Sequence, residues 1–447
     1  MARVLLVSNE PVGRTMAGPG IRYRQFALQL ADRFDVTLVV PNEPEDELPG
    51  VQVVRAHEFG YRRFGKLVES FDAVVAQQLT IATMERLARR GIRVVYDLYD
   101  PLLFESLAFH QGDRNGAAYA GALSRAAMLK QIIALATGSA FLCAGERQRD
   151  LWLGVLSSLG RIGFDEYVAD PPLDRLVAVV PFGIEADPPR TGTRALKGVV
   201  PEIRQTDRVL LWGGGVWNWF DPLTPIRAVA ELSKRRDDIR LWFLGIRHPS
   251  PRIPEMQMAQ QAVDLARELG VLGSRVFFNF DWVPYEERAR FLLDADLGVS
   301  AHFDTVETRF AFRTRLLDYL WAGLPAVVTR GDELGDRIGE RGLGRAVGFG
   351  AVDEWVSAVS SLLDDPKEYA STRDRVAAER EAFLWPRVVE PLADLLGSTL
   401  PPARYPPRVA GSLLEYAWAA LAGTVRRRGI RGTASEVASV LRRPDVP

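Results

Sequence analysis

A chain of 447 residues, 47% hydrophobic and 25% charged, is too long for one hydrophobic core and too ordinary in composition for a disordered or fibrous protein. Its formal net charge of −1 provides no overall field for nucleic acid, and ahead of the tail basic residues are not interleaved with aromatics. The lone Cys143 excludes an internal disulfide and fits a reducing compartment, and the four histidines (57, 110, 248, 302) are too scattered for metal-ligand spacing. No apolar run reaches the ~18 residues of a membrane span, and ARVLLVSNE is too short for a signal segment. The expected location is cytoplasmic.

In chain order, RVLLVS (residues 3–8) reads as a buried strand that feeds the loop NEPVGRTMAGPG and a helix from Ile21. Gly18 and Gly20 in that loop could let backbone approach a phosphate, although a plain turn around Pro19 explains them equally well. Further strands are expected at 36–40, 51–54, 73–77 and 94–97, with a helix over 81–90. The run YDLYDP gathers Asp97, Tyr99 and Asp100 at a strand's carboxyl edge, where a doubly wound sheet keeps its site. Residues 117–157 read as helix broken by the strand-like FLCAGE. VAVVPFGI (177–184) closes a first domain, and 185–207, rich in Pro, Gly, Thr and Arg, reads as a linker.

A second doubly wound domain opens at RVLLWGGG, where Gly214 and Gly215 follow a strand and permit close approach to an anion. Asp221 before Pro222 is expected to cap the next helix. Strands follow at 239–244 and 276–280, then DWVPYEERARFLLDAD. Next come the strand at 297–300, a polar loop with His302, Asp304, Glu307 and Arg309, and a helix opening near Thr314 and Arg315. Gly323 and Pro325 end that helix, and 326–329 is the next strand. A helix start flanked by arginines can receive an anion.

RLLDYLWAGLPAVVT (315–329) resembles the donor-site helix of retaining family-4 glycosyltransferases of the GT-B fold. There a carboxylate is followed by an apolar turn, Ala-x-Gly-x-Pro and a β-branched strand. VAVVPFGI, GERQRDLW, DWVPYEER and the late Trp385 match the same pattern, so the resemblance runs over about residues 1–397 and is strongest from 209 to 330. It implies an α/β protein of two facing Rossmann-like domains. An acceptor-side domain would span 1–184, a linker 185–207 and a donor domain 208–380, with a helix at 381–397 crossing back. The implied activity is transfer of a sugar, with retention, from a nucleotide-diphosphate sugar to a saccharide or lipid-linked acceptor in cell-envelope synthesis, with no metal and no other cofactor. A nucleotide-sugar epimerase of the same fold and a catalytically silent nucleotide-sugar-binding subunit are the rival readings.

The resemblance also assigns roles. Asp318 falls on the second Glu of the family's Glu–seven residues–Glu motif and would take the ribose hydroxyls. Ten residues rather than seven separate it from Glu307, which would face the sugar across an expanded loop; strict spacing lands on Phe310. The family's two diphosphate-binding cations fall at Gly215 and Phe220, so Arg309, Arg313 and above all Arg315 must supply that charge. Val283 would face the base. Many members carry a His near Tyr99 that touches the sugar; its absence leaves Asp97 or Asp100 for the acceptor. The loop with Gly18 and Gly20 would close over the donor phosphates.

The tail, residues 398–447, differs in kind. From residue 400 it holds eight arginines against three acidic residues, with Arg426–Arg428 beside Leu413, Leu414, Trp418 and Leu421. Such a segment suits either an anionic membrane surface, which would make the enzyme peripheral, or packing on the enzyme body.

Overall fold

A computed structural model describes residues 1–402 apart from 46, 57–60, 110–116, 191 and 247–255, and leaves the side chains of 61–63, 117–120 and 122–123 undescribed. The basic tail beyond Pro402, with its proposed membrane face, lies outside these residues, as do His57, His110 and His248. Among the described residues no helix is long and apolar enough to cross a membrane. The chain forms two compact units, Met1–Pro181 with the chain from Val388 onward, and Phe182–Arg387.

The first unit carries β1 (Arg3–Val7), β2 (Asp35–Val40), β3 (Val51–Arg55), β4 (Ala73–Ala76), β5 (Arg93–Asp97), β6 (Ala140–Cys143) and β7 (Val177–Val179) in one parallel sheet of order β3-β2-β1-β4-β5-β6-β7. Short Val, Leu and Ala runs suit strands covered on both faces, and Val4 to Val7 and Ala73 to Ala76 are all buried. The helix after β1 is Gly18–Leu30, so it starts three residues before Ile21. Pro19 sits in its first turn, where a fixed φ fits and no N–H is missed. The chain re-enters this unit at Val388. Helix Glu390–Gly397 buries Leu392, Leu395 and Leu396, and Arg33 reaches Glu390 (3.1 Å) and Asp394 (3.1 Å).

The second unit repeats the plan with β8 (Arg208–Trp212), β9 (Ile239–Phe243), β10 (Val276–Phe278), β11 (Leu297–Ser300), β12 (Ala326–Thr329) and β13 (Gly344–Val347), ordered β10-β9-β8-β11-β12-β13 and again parallel. The expected linker 185–207 is part of this unit. Leu196 and Ile203 are buried, the Leu196 and Lys197 amides each donate to Asp294 Oδ2 at 2.8 Å, and Lys197 Nζ pairs with Asp296 at 2.6 Å. Side-chain carboxylates hold this segment in place of a helix or strand repeat, so it shows no periodicity. Asp221 accepts from the Thr224 amide at 3.1 Å and caps helix Leu223–Leu232.

One buried ion pair ties the first sheet to its flanking helix. Arg22 Nε and Nη2 donate to Asp97 at 2.7 and 2.9 Å, and the guanidinium also donates to the carbonyls of Val180 and Pro181. Both side chains are fully enclosed, and the ring of Phe26 lies 4.5 Å from the guanidinium carbon. Leaving either charge unpaired should cost about 3–5 kcal/mol. Asp97→Asn should therefore lower the urea midpoint followed by hydrogen exchange at β1 and β5, and an unchanged midpoint would show that the pair is dispensable.

Candidate functional site

In the second sheet the strand order reverses between β8 and β11, and loops leaving adjacent strands in opposite directions open a crevice at their carboxyl ends. The loop after β8 is Gly213 to Phe220, and the loop after β11 runs from Ala301 to Thr314. Two backbone contacts join them, a bridge between Phe220 and His302 and a bond from the Asp221 amide to the Ala301 carbonyl at 2.9 Å. Tyr319 shapes the crevice floor from helix Arg315–Trp321. Its hydroxyl accepts from the Gly213 amide (2.8 Å) and faces the carbonyls of Leu211 (2.9 Å) and Val299 (2.8 Å). A Cβ at Gly298 would lie 2.4 Å from the Tyr319 ring, so β11 needs glycine there. Gly214 has φ of +95°, the left-handed region that glycine reaches freely.

Arg315 lies against this loop. Its Nη2 donates to the Gly215 carbonyl at 2.9 Å, and its guanidinium carbon stands 4.1 Å from the Phe220 ring and 4.8 Å from that of Trp212. Its Nη1 is buried and has no hydrogen-bond partner among the described residues. Burial, with a contribution from nearby Arg313, pushes the Arg315 guanidinium down to about 10, so it stays charged at neutral pH. Arg313, buried beside it, forms a two-pronged pair with Glu307 at 2.8 and 2.6 Å. The structure thus joins Glu307 and Arg313, expected to act separately, into one enclosed pair with side chains 2% and 5% exposed.

His302 is buried behind the pair. Burial, then the charges of Arg313 and Arg315, hold it well below the usual histidine range, so it is neutral. Its Nε2 lies 3.2 Å from Ser300 Oγ, and its Nδ1 lies 3.7 Å from Asp332 Oδ2. Burial raises the Asp332 carboxyl to about 6.

The other expected donor residues scatter around this centre. Arg309 is exposed on the short helix Val306–Phe310, and Thr314 is half-buried just before Arg315 with no capping bond from its side chain. Val283 is half-buried in the loop after β10. Asp318 is half-buried, with Oδ1 3.2 Å from Arg288 Nε. Arg288 and Tyr319 escape pattern reading because a cation and an aromatic inside apolar-periodic helices look like surface and core; Gly298 inside a strand is the one signal of Tyr319's close approach. Helix Arg315–Trp321 has only seven residues, so charge at its start rests on the guanidinium more than on the helix end.

In the first unit the order reverses between β1 and β4. Asn9 and Gln78 bond each other across that point at 3.3 and 3.1 Å, and Gln77 Nε2 donates to Asp100 at 2.8 Å. Burial, followed at a distance by the charge of Asp97, pushes the Asp100 carboxyl up to about 7. Asp97 is the carboxylate sealed by Arg22, so of the two acidic residues expected at the acceptor the structure leaves Asp100 the more open. Gly18 and Gly20 lie in the first turn of a helix, not in a loop. A Cβ at Gly20 would meet the Pro11 carbonyl oxygen at 2.2 Å, so its closest backbone approach is to the chain itself.

No family model matches this sequence, and no curated protein does. Solved structures do match. HepE of Anabaena in complex with UDP-glucose is 14% identical with a TM-score of 0.61, over 89% of this chain and 100% of that one. Sucrose-phosphate synthase of Thermosynechococcus elongatus is 12% identical with a TM-score of 0.60, over 88% and 98%. WaaG, a glycosyltransferase involved in lipopolysaccharide biosynthesis, is 14% identical with a TM-score of 0.59, over 89% and 100%. The fold, with its two parallel Rossmann-like sheets, is that of the GT-B glycosyltransferases.

The Asp100 carboxyl gives a signed pH prediction. Between its ordinary 3.8 and about 7 the folded chain holds a proton that the unfolded chain releases, so stability falls as pH rises through that window. Asp100→Asn lacks this loss. Urea titrations from pH 4 to 8 should show the variant gaining on wild type up to about pH 7, and parallel curves would refute the burial of this carboxyl.

Proposed function

We propose that this protein is a retaining glycosyltransferase that moves a hexosyl group from a nucleotide-diphosphate sugar to an acceptor hydroxyl, on a saccharide or lipid-linked acceptor of the cell envelope. One observation carries the reading. The Arg315 guanidinium touches both Gly215 and Phe220, the two positions where the family resemblance expects diphosphate-binding cations and this sequence has none. The charge has moved from the glycine loop to the facing helix, yet reaches the same place. Arg315 has no carboxylate partner among the described residues, and its buried Nη1 is left for an anion. The complex of the similar HepE with UDP-glucose agrees in ligand class.

In this reading the bond from the anomeric carbon to the diphosphate oxygen breaks while the acceptor oxygen bonds the same face of that carbon. The hydroxyl proton passes to the departing diphosphate. Negative charge on that group peaks in the transition state, so a fixed guanidinium there speeds the step without any metal. The Glu307–Arg313 pair braces Arg315 through Phe220, whose ring lies 5.0 Å from the Arg313 guanidinium carbon. Asp318 takes the ribose, Val283 faces the base, and Asp100 is the acceptor-side carboxylate.

A thermal-shift panel of nucleotide sugars on the whole chain tests the donor. At 100 times its Kd the true donor should stabilise by ~2.7 kcal/mol. A charge-assisted hydrogen bond is worth ~1.5–3 kcal/mol, so Arg315→Ala should lower turnover roughly ten- to a hundred-fold. Turnover of the variant at the wild-type rate would place the diphosphate elsewhere. A donor that binds without transfer to any acceptor would favour the silent-subunit reading, and one that is isomerised without acceptor the epimerase.

A further inference from the structure

Arg288 is enclosed in a way that the donor reading leaves unexplained. Its guanidinium carbon lies 3.6 Å from the Tyr285 ring centre and 4.4 Å from that of Trp321. Both rings are fixed by their polar ends. The Tyr285 hydroxyl donates to Glu185 at 2.9 Å, and the Trp321 indole donates to the Asp187 carbonyl at 2.8 Å. Arg288 Nη1 donates to the Tyr285 carbonyl at 2.7 Å, Nη2 stands 3.6 Å from Glu185, and Nε donates to Asp318 Oδ1 at 3.2 Å. Its side chain is 11% exposed while that of Asp318 is 37% exposed. A guanidinium gripped by two rings and two other acceptors has one orientation available, so the bond to Asp318 is directional.

That bond uses one carboxylate oxygen of Asp318 and leaves Oδ2 with no hydrogen bond from the described residues. We propose that Arg288 is a positioning residue, and that it turns the Asp318 carboxylate toward the ribose hydroxyls of a nucleoside diphosphate. The inference rests on the donor site proposed above. A carboxylate repels phosphate but accepts from hydroxyls. Asp318 lies three residues beyond Arg315, where helix neighbours are roughly 5–6 Å apart, so one face meets diphosphate and then sugar hydroxyls. Arg288 has a second effect. Burial raises the Asp318 carboxyl, the Arg288 charge and hydrogen bond lower it, and Glu185 raises it again. Tyr285, the other titratable group at this spot, is itself raised by burial and is neutral. The net direction is upward, and Arg288, the one cation facing Asp318 among the described residues, opposes that rise and so favours the accepting form.

Calorimetry on the full chain tests this, with UDP, ADP, GDP and CDP and then the 2′-deoxy counterpart of whichever binds. Wild type should prefer the ribonucleotide roughly tenfold, as expected for one hydrogen bond to a charged group. Arg288→Leu should bind the ribonucleotide roughly tenfold more weakly and the deoxynucleotide almost unchanged, and the acid limit of its binding should move to higher pH. Arg288→Lys should restore part of both, and Glu185→Gln should move the acid limit the other way. Asp318→Ala, which removes the acceptor, must abolish the same preference, which covers the case in which Arg288→Leu does not fold. A wild type that binds no nucleoside diphosphate overturns the donor reading together with this inference. A wild type that binds one but takes the deoxynucleotide equally well overturns the inference alone. So does an Arg288→Leu variant that keeps both the preference and the acid limit.

Discussion

A guanidinium taken out of water must find negative charge, and this requirement orders the described interior. Arg22 meets Asp97, Arg313 meets Glu307, Arg240 meets Asp207, and Arg288 meets Asp318 and Glu185. Arg315 has no carboxylate partner among the described residues. It leans on one carbonyl and two aromatic faces, has a buried nitrogen without a partner, and lies next to a second cation already neutralised. Placing a cation so is costly unless an anion joins it. Under the proposed function, the negative charge that this guanidinium lacks comes from the donor's diphosphate, beside the loop of three glycines.

The scaffold explains why the charge can be held there. Parallel strands with reversed order at β8 and β11 leave a crevice, and Tyr319 fixes its floor by joining the glycine loop to both strands. Phe220 then acts as a spacer between the two guanidiniums, its position set by the bridge to His302. A neutral His302 adds no further positive charge behind them. The same fold in the first unit has its reversal at β1 and β4 but lines it with amides and a carboxyl of raised pKa. The two reversals are therefore lined differently, one by guanidiniums and the other by amides and a carboxyl, and the proposed function assigns the donor to the first and the acceptor to the second.

Most of the fold was legible in the sequence, because buried parallel strands are apolar runs and Gly, Pro and Asp mark their ends. β13 was not, since Gly-Arg-Ala-Val has no apolar run; parallel pairing with β12, from Ala326 opposite Gly344 to Thr329 opposite Val347, makes it a strand. The segment 185–207 looked like a linker because Asp294 and Asp296, a hundred residues on, hold it. At the site, the charge on Arg315 could be argued from what positions 215 and 220 lack. The partnering of the charges could not. Nothing in the spacing of Glu307 and Arg313, or of Asp97 and Arg22, says that each carboxylate is already occupied, because ion pairs are fixed by tertiary packing. Arg288 was hidden for the same reason, its two rings coming from separate helical turns.

Arg315, in the proposed function, waits for the donor's diphosphate. A crystal structure of the full chain with a nucleotide-diphosphate sugar is the decisive test. A diphosphate oxygen is expected within hydrogen-bond distance of Arg315 Nη1, above Gly214 and Gly215. A donor bound with its phosphates away from that nitrogen, leaving Nη1 still unpaired, would contradict it.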